Sequence, residues 1–164
     1  MVIKRALSAF LGGLLVISLL VSCSGERSFN HCELYITLPR EFEDVGSSDS
    51  FDLLLSNGDV SIGIARMSFS AALNNGIADT LTDMAFAEFF IAQSGKQLTV
   101  YNRKGVPYVS YSEAHDGKEY YCMASFHRSL YAYFFVLYST DYDKADTWRE
   151  DFLNIATDVR FVYE

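Results

Sequence analysis

Basic residues are scarce in this sequence. Lys and Arg together number 13, whereas Asp and Glu number 21, which gives a formal net charge of -8 at pH 7. Two of the basic residues, Lys4 and Arg5, lie in the first five positions, so residues 23–164 contain 11 basic and 21 acidic side chains. Proteins bind nucleic acid largely through Lys and Arg side chains that neutralise phosphates. The sequence therefore predicts no nucleic-acid partner.

The sequence also lacks the short motifs of the common enzyme classes. It contains no G-x-S-x-G, no G-x-G-x-x-G and no phosphate-binding loop. Cys122 and His127 are five residues apart on or beside one predicted strand, where an odd separation places two side chains on opposite faces. We therefore predict no nucleophile pair and no catalytic residue from these patterns.

Spacings typical of metal ligands are absent as well. His31, His115 and His127 are far apart and fall at the margins of predicted strands or turns. The acidic run that begins at Asp141 is similar to the start of a calcium loop, but Phe152 stands where such a loop requires Glu. The sequence predicts surface histidines, no metal site and no cofactor.

The first 23 residues follow a distinct order. Lys4 and Arg5 precede residues 6–21, which carry no charge, and the small residue Ser22 comes directly before Cys23. This order is typical of an export signal, and the apolar run is shorter than the roughly 20 residues that span a bilayer. Leu20-Val21-Ser22-Cys23 resembles the lipobox of bacterial lipoproteins. The resemblance implies a cleaved signal peptide over residues 1–22 and a diacylglycerol attached to the sulfur of Cys23.

This resemblance implies a location. We expect a protein of the cell envelope, lipid-anchored on the extracytoplasmic side of a bacterial membrane, either the inner or the outer one. An acidic domain is repelled by anionic lipid, so the acyl chains on Cys23 are the expected membrane attachment. Residues 23–31 are polar and predict a flexible tether behind the lipidated cysteine, and residues 32–164 predict one globular domain.

Two cysteines remain once Cys23 is assigned to the lipid. Cys32 and Cys122 are an even number in an exported chain, which is compatible with a disulfide. The alternative is two buried free thiols that pack as small apolar residues. The sequence leaves both open.

The domain has the patterns of several strands and two helices. Residues 131–138 are apolar at both parities, which predicts a central strand covered on both faces. Turns are predicted at Asn57-Gly58, Lys104-Gly105, Asp116-Gly117 and residues 127–129. Strands are predicted at residues 32–39, 51–55, 60–67, 97–103, 107–115, 118–126 and 130–139, helices at 80–94 and 139–156, and extended chain at 159–163.

The order of these elements resembles the PsbP-like fold. The resemblance rests on residues 35–39, 62–64 and 152–161, which are patterns of apolar and turn residues. It implies one α+β domain, a mainly antiparallel sheet of about six or seven strands with helices packed on both faces. No catalytic residue follows from it.

Tyrosines are numerous on the predicted meander. An amphipathic ring suits a surface that binds sugar, peptide or lipid, but it also suits the edge of a core. The residues predicted to form such an aromatic surface are Tyr108, Tyr111, Tyr120 and Tyr121.

We interpret the chain as a membrane-anchored envelope lipoprotein, a non-enzymatic binding or structural module whose partner is an envelope protein or a small ligand. The alternative is an envelope hydrolase whose site forms only in three dimensions. A concave pocket with two or more convergent titratable groups would favour the hydrolase.

Overall fold

The computed structural model describes residues 25–163, so the predicted signal peptide and Cys23 lie outside the described residues. Between Tyr142 and Lys144 the chain makes a 3₁₀ turn. The helices and strands are β1 Glu26–His31, β2 Leu34–Pro39, β3 Glu43–Gly46, β4 Leu53–Ser56, β5 Val60–Ser68, α1 Phe69–Asn74, α2 Asp83–Ser94, β6 Tyr101–Arg103, β7 Val106–His115, β8 Lys118–Arg128, β9 Ala132–Asp141, α3 Ala145–Thr157 and β10 Arg160–Phe161.

Seven antiparallel strands form the main sheet in the order β3-β4-β5-β9-β8-β7-β6. Two of its hairpins have the predicted two-residue turns: Lys104 and Gly105 have φ angles of 51° and 92°, and Asp116 and Gly117 have 51° and 78°. Positive φ at both positions is the requirement of a type I′ turn. These features confirm the predicted α+β class and the meander over β6 to β9.

Strand β9 lies at the centre of the main sheet and is covered on both faces, as predicted. Its even-numbered residues Phe134, Val136 and Tyr138 are fully buried in a core that also contains Phe152 of α3. Its odd-numbered residues, among them the fully buried Tyr133, pack in a second core beneath α2. The two faces of the main sheet are called here the α3 face and the α2 face.

A second, three-stranded sheet covers part of the α3 face. Its order is β1-β2-β10, and Leu34, Ile36 and Leu38 of β2 are buried in the core against α3. The alternation predicted over residues 32–39 is therefore confirmed from Leu34 onward. Cys32 lies in the β1–β2 turn with a φ angle of 52° rather than in the strand.

The prediction of a tether up to residue 31 is wrong, because Glu26–His31 is strand β1 and pairs with β2 along its whole length. The polar composition of residues 26–31 gave no sequence pattern from which a strand could be predicted. Phe29 is the only buried side chain of β1, and a single apolar residue leaves no alternation to recognise.

Three other elements differ from expectation. The short helix α1 and the edge strand β3 lie in segments where no helix or strand was predicted. Helix α3 begins at Ala145, not at residue 139, since β9 extends to Asp141 and pairs there with Tyr120 of β8.

A substitution at Phe29 tests whether residues 26–31 pack on the domain as a strand or form a flexible tether. We expect Phe29→Ala to lower the free energy of unfolding by about 3 kcal/mol, because it removes a buried aromatic ring. The exposed neighbour provides the control, and Asn30→Ala should change stability by less than about 0.5 kcal/mol. Urea unfolding of both variants is the measurement. Equal, near-zero effects would show that this segment does not pack on the domain.

Candidate functional site

The four predicted tyrosines do not form one surface. Tyr121 is buried in the core on the α3 face and Tyr108 packs against it, whereas Tyr111 packs in the core on the α2 face. Tyr120 shares the parity of Ala124 and Phe126 of β8, which also face α2. The interpretation as a joint aromatic surface is therefore corrected. Burial raises the pKa of Tyr111 to about 12, as expected for a hydroxyl at the edge of a core.

The two remaining cysteines are free. Cys32 is exposed in the β1–β2 turn on the α3 side, whereas Cys122 is buried on the α2 face of β8. A disulfide between them is excluded because the main sheet lies between the two thiols. Burial raises the pKa of Cys122 to about 11, so its thiol stays protonated at neutral pH and is a poor nucleophile.

A buried ion pair joins the small sheet to the main sheet. Glu33 in the β1–β2 turn accepts a hydrogen bond from Arg66 Nε of β5 at 3.2 Å and from Ser129 Oγ at 2.7 Å. Burial acts to raise the pKa of Glu33, but the bonds from Ser129, its own backbone and Arg66 outweigh it and lower this pKa below its ordinary value. Ser129 Oγ also accepts from the amides of Tyr131 and Ala132. The cluster holds three chain segments together and has no group left for chemistry.

His127 is buried, not at the surface as predicted. Its Nε2 lies 2.9 Å from the Ser125 hydroxyl, which lies 3.4 Å from the Tyr138 hydroxyl. Burial lowers the pKa of His127 to about 4. A Ser-His pair of this kind needs access to a substrate, but Ser125 and Tyr138 are fully enclosed. The predicted strand ended at Phe126, whereas β8 continues through Arg128 and includes His127.

An apolar cavity of about 250 Å³ lies on the α2 face beside α2. Its floor consists of two cross-strand pairs, Ala65 with Phe135 and Met67 with Tyr133. Phe86 and Phe90 of α2 form one wall; Phe86 stacks on Tyr133 with ring centroids 4.3 Å apart. Helix α2 packs on β7 and β8, and the cavity lies between its Phe86 and Phe90 side chains and the neighbouring strands β5 and β9.

Phe51 forms the opposite wall of the cavity. Its ring is parallel to that of Phe135 within 18° and lies over Gly63 of β5. A Cβ atom at Gly63 would come within 2.6 Å of the Phe51 ring, so only glycine allows the ring to rest directly on the strand. The absence of a side chain at Gly63 therefore positions this wall.

A second cavity of about 470 Å³ adjoins the first and shares Met67 and Phe90 with it. Its other lining residues are Asn75, Ile77, Phe89, Gln93 and Ser94. The two cavities together are called here the α2 groove. Uncharged polar groups occur in the second cavity, which is lined by Gln93 and Ser94 in the last turn of α2.

Two residues that line the first cavity of the α2 groove, Arg66 and Tyr133, have ionisable side chains, and the polar groups of both are engaged elsewhere. The guanidinium of Arg66 is paired with Glu33 on the α3 face. The Tyr133 hydroxyl donates to the Ala78 carbonyl at 2.7 Å. Among residues 25–163, no group of three or more His, Cys, Asp or Glu side chains is placed to hold a metal ion. The arrangement suits binding of an apolar ligand.

The same described part of the chain contains no helix that is both long and apolar enough to span a bilayer.

The buried imidazole of His127 predicts that the domain loses stability at acidic pH. The pKa of His127 falls from its ordinary value of 6.5 to about 4 in the fold, so the unfolded chain binds a proton more readily than the native one. Stability therefore falls as the pH drops from 7 to 4, by about 3 kcal/mol from this group. We expect His127→Gln to reduce the difference in unfolding free energy between pH 7 and pH 4, measured in urea. His115→Gln, at an exposed site, should leave that difference unchanged.

The contact between Gly63 and Phe51 predicts that substitutions at these two residues have coupled effects on stability. We expect Gly63→Ala to lower the free energy of unfolding by about 1–3 kcal/mol, because the new methyl group displaces a packed ring. In a Phe51→Ala background the same substitution should cost less than about 0.5 kcal/mol, since the ring is absent. A double-mutant cycle in urea measures this coupling. The same cost in both backgrounds would contradict the placement of Phe51.

Comparison with known proteins gives the fold. No protein-family model matches the chain, and no curated protein matches it at a significant level. The cyanobacterial PsbP protein CyanoP from Synechocystis superposes with a TM-score of 0.51 at 15% identity, covering 85% of this chain and 94% of that one. A protein from Bacteroides thetaiotaomicron superposes with a TM-score of 0.55 at 9% identity, covering 86% of this chain and 50% of that one. These likenesses establish a PsbP-like α+β fold.

Proposed function

We propose that this chain is a lipoprotein of the bacterial cell envelope, anchored through acyl chains on Cys23, and that its domain is a non-enzymatic binding module. The α2 groove is the observation that carries the binding role, because it is concave and aromatic, and no pair of ionisable groups converges in its first cavity. The order of Lys4, Arg5, the apolar run and Leu20-Val21-Ser22-Cys23 carries the anchor.

Because β1 begins at Glu26, the link between the proposed anchor and the domain is shorter than the sequence predicted. Glu26 is the first residue of β1, so Ser24 and Gly25 alone separate Cys23 from the fold. Three residue steps extend at most ~11 Å. The amide of Arg40 donates to the carbonyl of Gly25 at 2.9 Å, which fixes the start of the chain beside the end of β2. This end of the small sheet then faces the membrane.

The polar clusters support a binding role over hydrolysis. In Glu33, Arg66 and Ser129, the charges and the hydroxyl are bonded to one another, and Ser125 and His127 are enclosed in the core. A hydrolase needs a nucleophile or activated water beside a base at the substrate. The envelope hydrolase therefore gains no support from these residues, and a ligand or an envelope protein is the expected partner.

The anchor can be tested by replacing Cys23 and Cys32 in separate variants. We expect Cys23→Ala to abolish incorporation of labelled fatty acid and to remove the domain from the membrane fraction, because the sulfur is the attachment atom. Cys32→Ala is the matched control; it removes an exposed thiol nine positions away and should retain both label and membrane association. Membrane association of the Cys23→Ala variant equal to that of the unaltered protein would refute the lipid anchor.

A further inference from the structure

We propose that the α2 groove binds one acyl chain of an uncharged lipid. This inference rests on the proposed function in one respect, since a lipid anchor keeps the groove close to a membrane. It names the ligand class for the same site.

The dimensions of the α2 groove favour an elongated apolar ligand. Its first cavity, at about 250 Å³, exceeds the roughly 150 Å³ at which a dry apolar cavity accepts benzene. The second cavity extends the groove past Met67 and Phe90. The wall from Phe86 to Ser94 spans eight residue steps of helix, or ~12 Å. A flexible chain can follow both cavities, whereas a compact ring fills only one.

The lining favours an uncharged ligand. The polar residues of the second cavity are Asn75, Gln93 and Ser94, which are neutral. Arg66 also lines the first cavity, but its guanidinium lies on the opposite face, paired with Glu33. A carboxylate or phosphate would therefore lose its hydration without gaining a cation, and residues 23–164 carry an excess of ten acidic side chains that repel it. A cationic headgroup would likewise find no carboxylate in the lining.

The acyl chains on Cys23 are not the proposed occupant. Gly25 is bonded to Arg40 at the end of the small sheet, which packs on the α3 face. Only Ser24 separates Gly25 from Cys23, so we expect these chains to begin near this end of the small sheet, away from the α2 groove. The ligand is therefore a separate lipid molecule.

Native mass spectrometry of the full protein, purified from membranes, tests this proposal. Collisional activation releases a bound lipid but leaves the covalent acyl groups on the protein. We expect one releasable lipid without a charged headgroup. We also expect added 1-monomyristoylglycerol to occupy the protein at a concentration about tenfold lower than myristate, since desolvating the carboxylate weakens its binding.

Two leucine substitutions on β5 locate the site. Ala65→Leu fills the floor of the α2 groove, and we expect about tenfold lower occupancy by 1-monomyristoylglycerol. Ser61→Leu is the matched control, because Ser61 is exposed on the same strand and the same face but lies outside both cavities. It should bind like the unaltered protein. If Ala65→Leu fails to fold, Ala65→Met fills the same space with a flexible side chain.

Three results would overturn the proposal: no binding of 1-monomyristoylglycerol, equal binding by the Ala65 and Ser61 variants, or myristate binding as strong as that of the glyceride. Each would leave the anchor untouched, because the anchor is judged by fractionation of the Cys23→Ala variant. Loss of the anchor would, in turn, leave lipid binding by the purified protein measurable.

Discussion

The fold depends on the need to cover both faces of β9. Residues 132–138 alternate between two cores, and Tyr133, Phe134, Val136 and Tyr138 are all fully buried. A strand that is apolar on both faces requires a layer on each. On the α3 face that layer is complete, since α3 and the small sheet lie side by side. On the α2 face, helix α2 packs on β7 and β8 and the short helix α1 contributes Phe69 and Ala72, but a cavity remains over part of β5 and β9.

The parts of the fold that the sequence predicts are those set by local chemistry. Gly105 and Gly117 mark two-residue turns because positive φ is required there, and β9 is recognisable from its own residues. The small sheet could not be predicted, because β10 pairs with Tyr35 and Leu34 from the other end of the chain. Strand β1 has little apolar content of its own and is ordered by its partner β2. Local patterns carry no information about such pairings.

The candidate site was harder to predict for a related reason. The floor and walls of its first cavity include Phe51, Ala65, Phe86 and Phe135, which are distributed over 85 positions. The number of tyrosines drew attention to β7 and β8, but alternation along those strands divides the tyrosines between the two faces. Phenylalanines that looked like ordinary core residues form the groove instead. Gly63 was one local signal, since a glycine inside an apolar strand indicates close approach by another group.

Helix α2 contained a second signal, in its lack of a polar face. The apolar residues of this segment predict a broad buried stripe that includes Phe86 and Phe90, and the structure buries Phe86, Ala87 and Ile91. Phe89 and Phe90 are half-buried and line the α2 groove. A helix with one solvent face normally carries polar residues there, because exposed aromatic surface is unfavourable in water. Apolar residues around most of a helix that packs on only one side therefore indicate a second apolar contact. In α2 that contact is the groove, and its rings have no protein layer above them among the described residues.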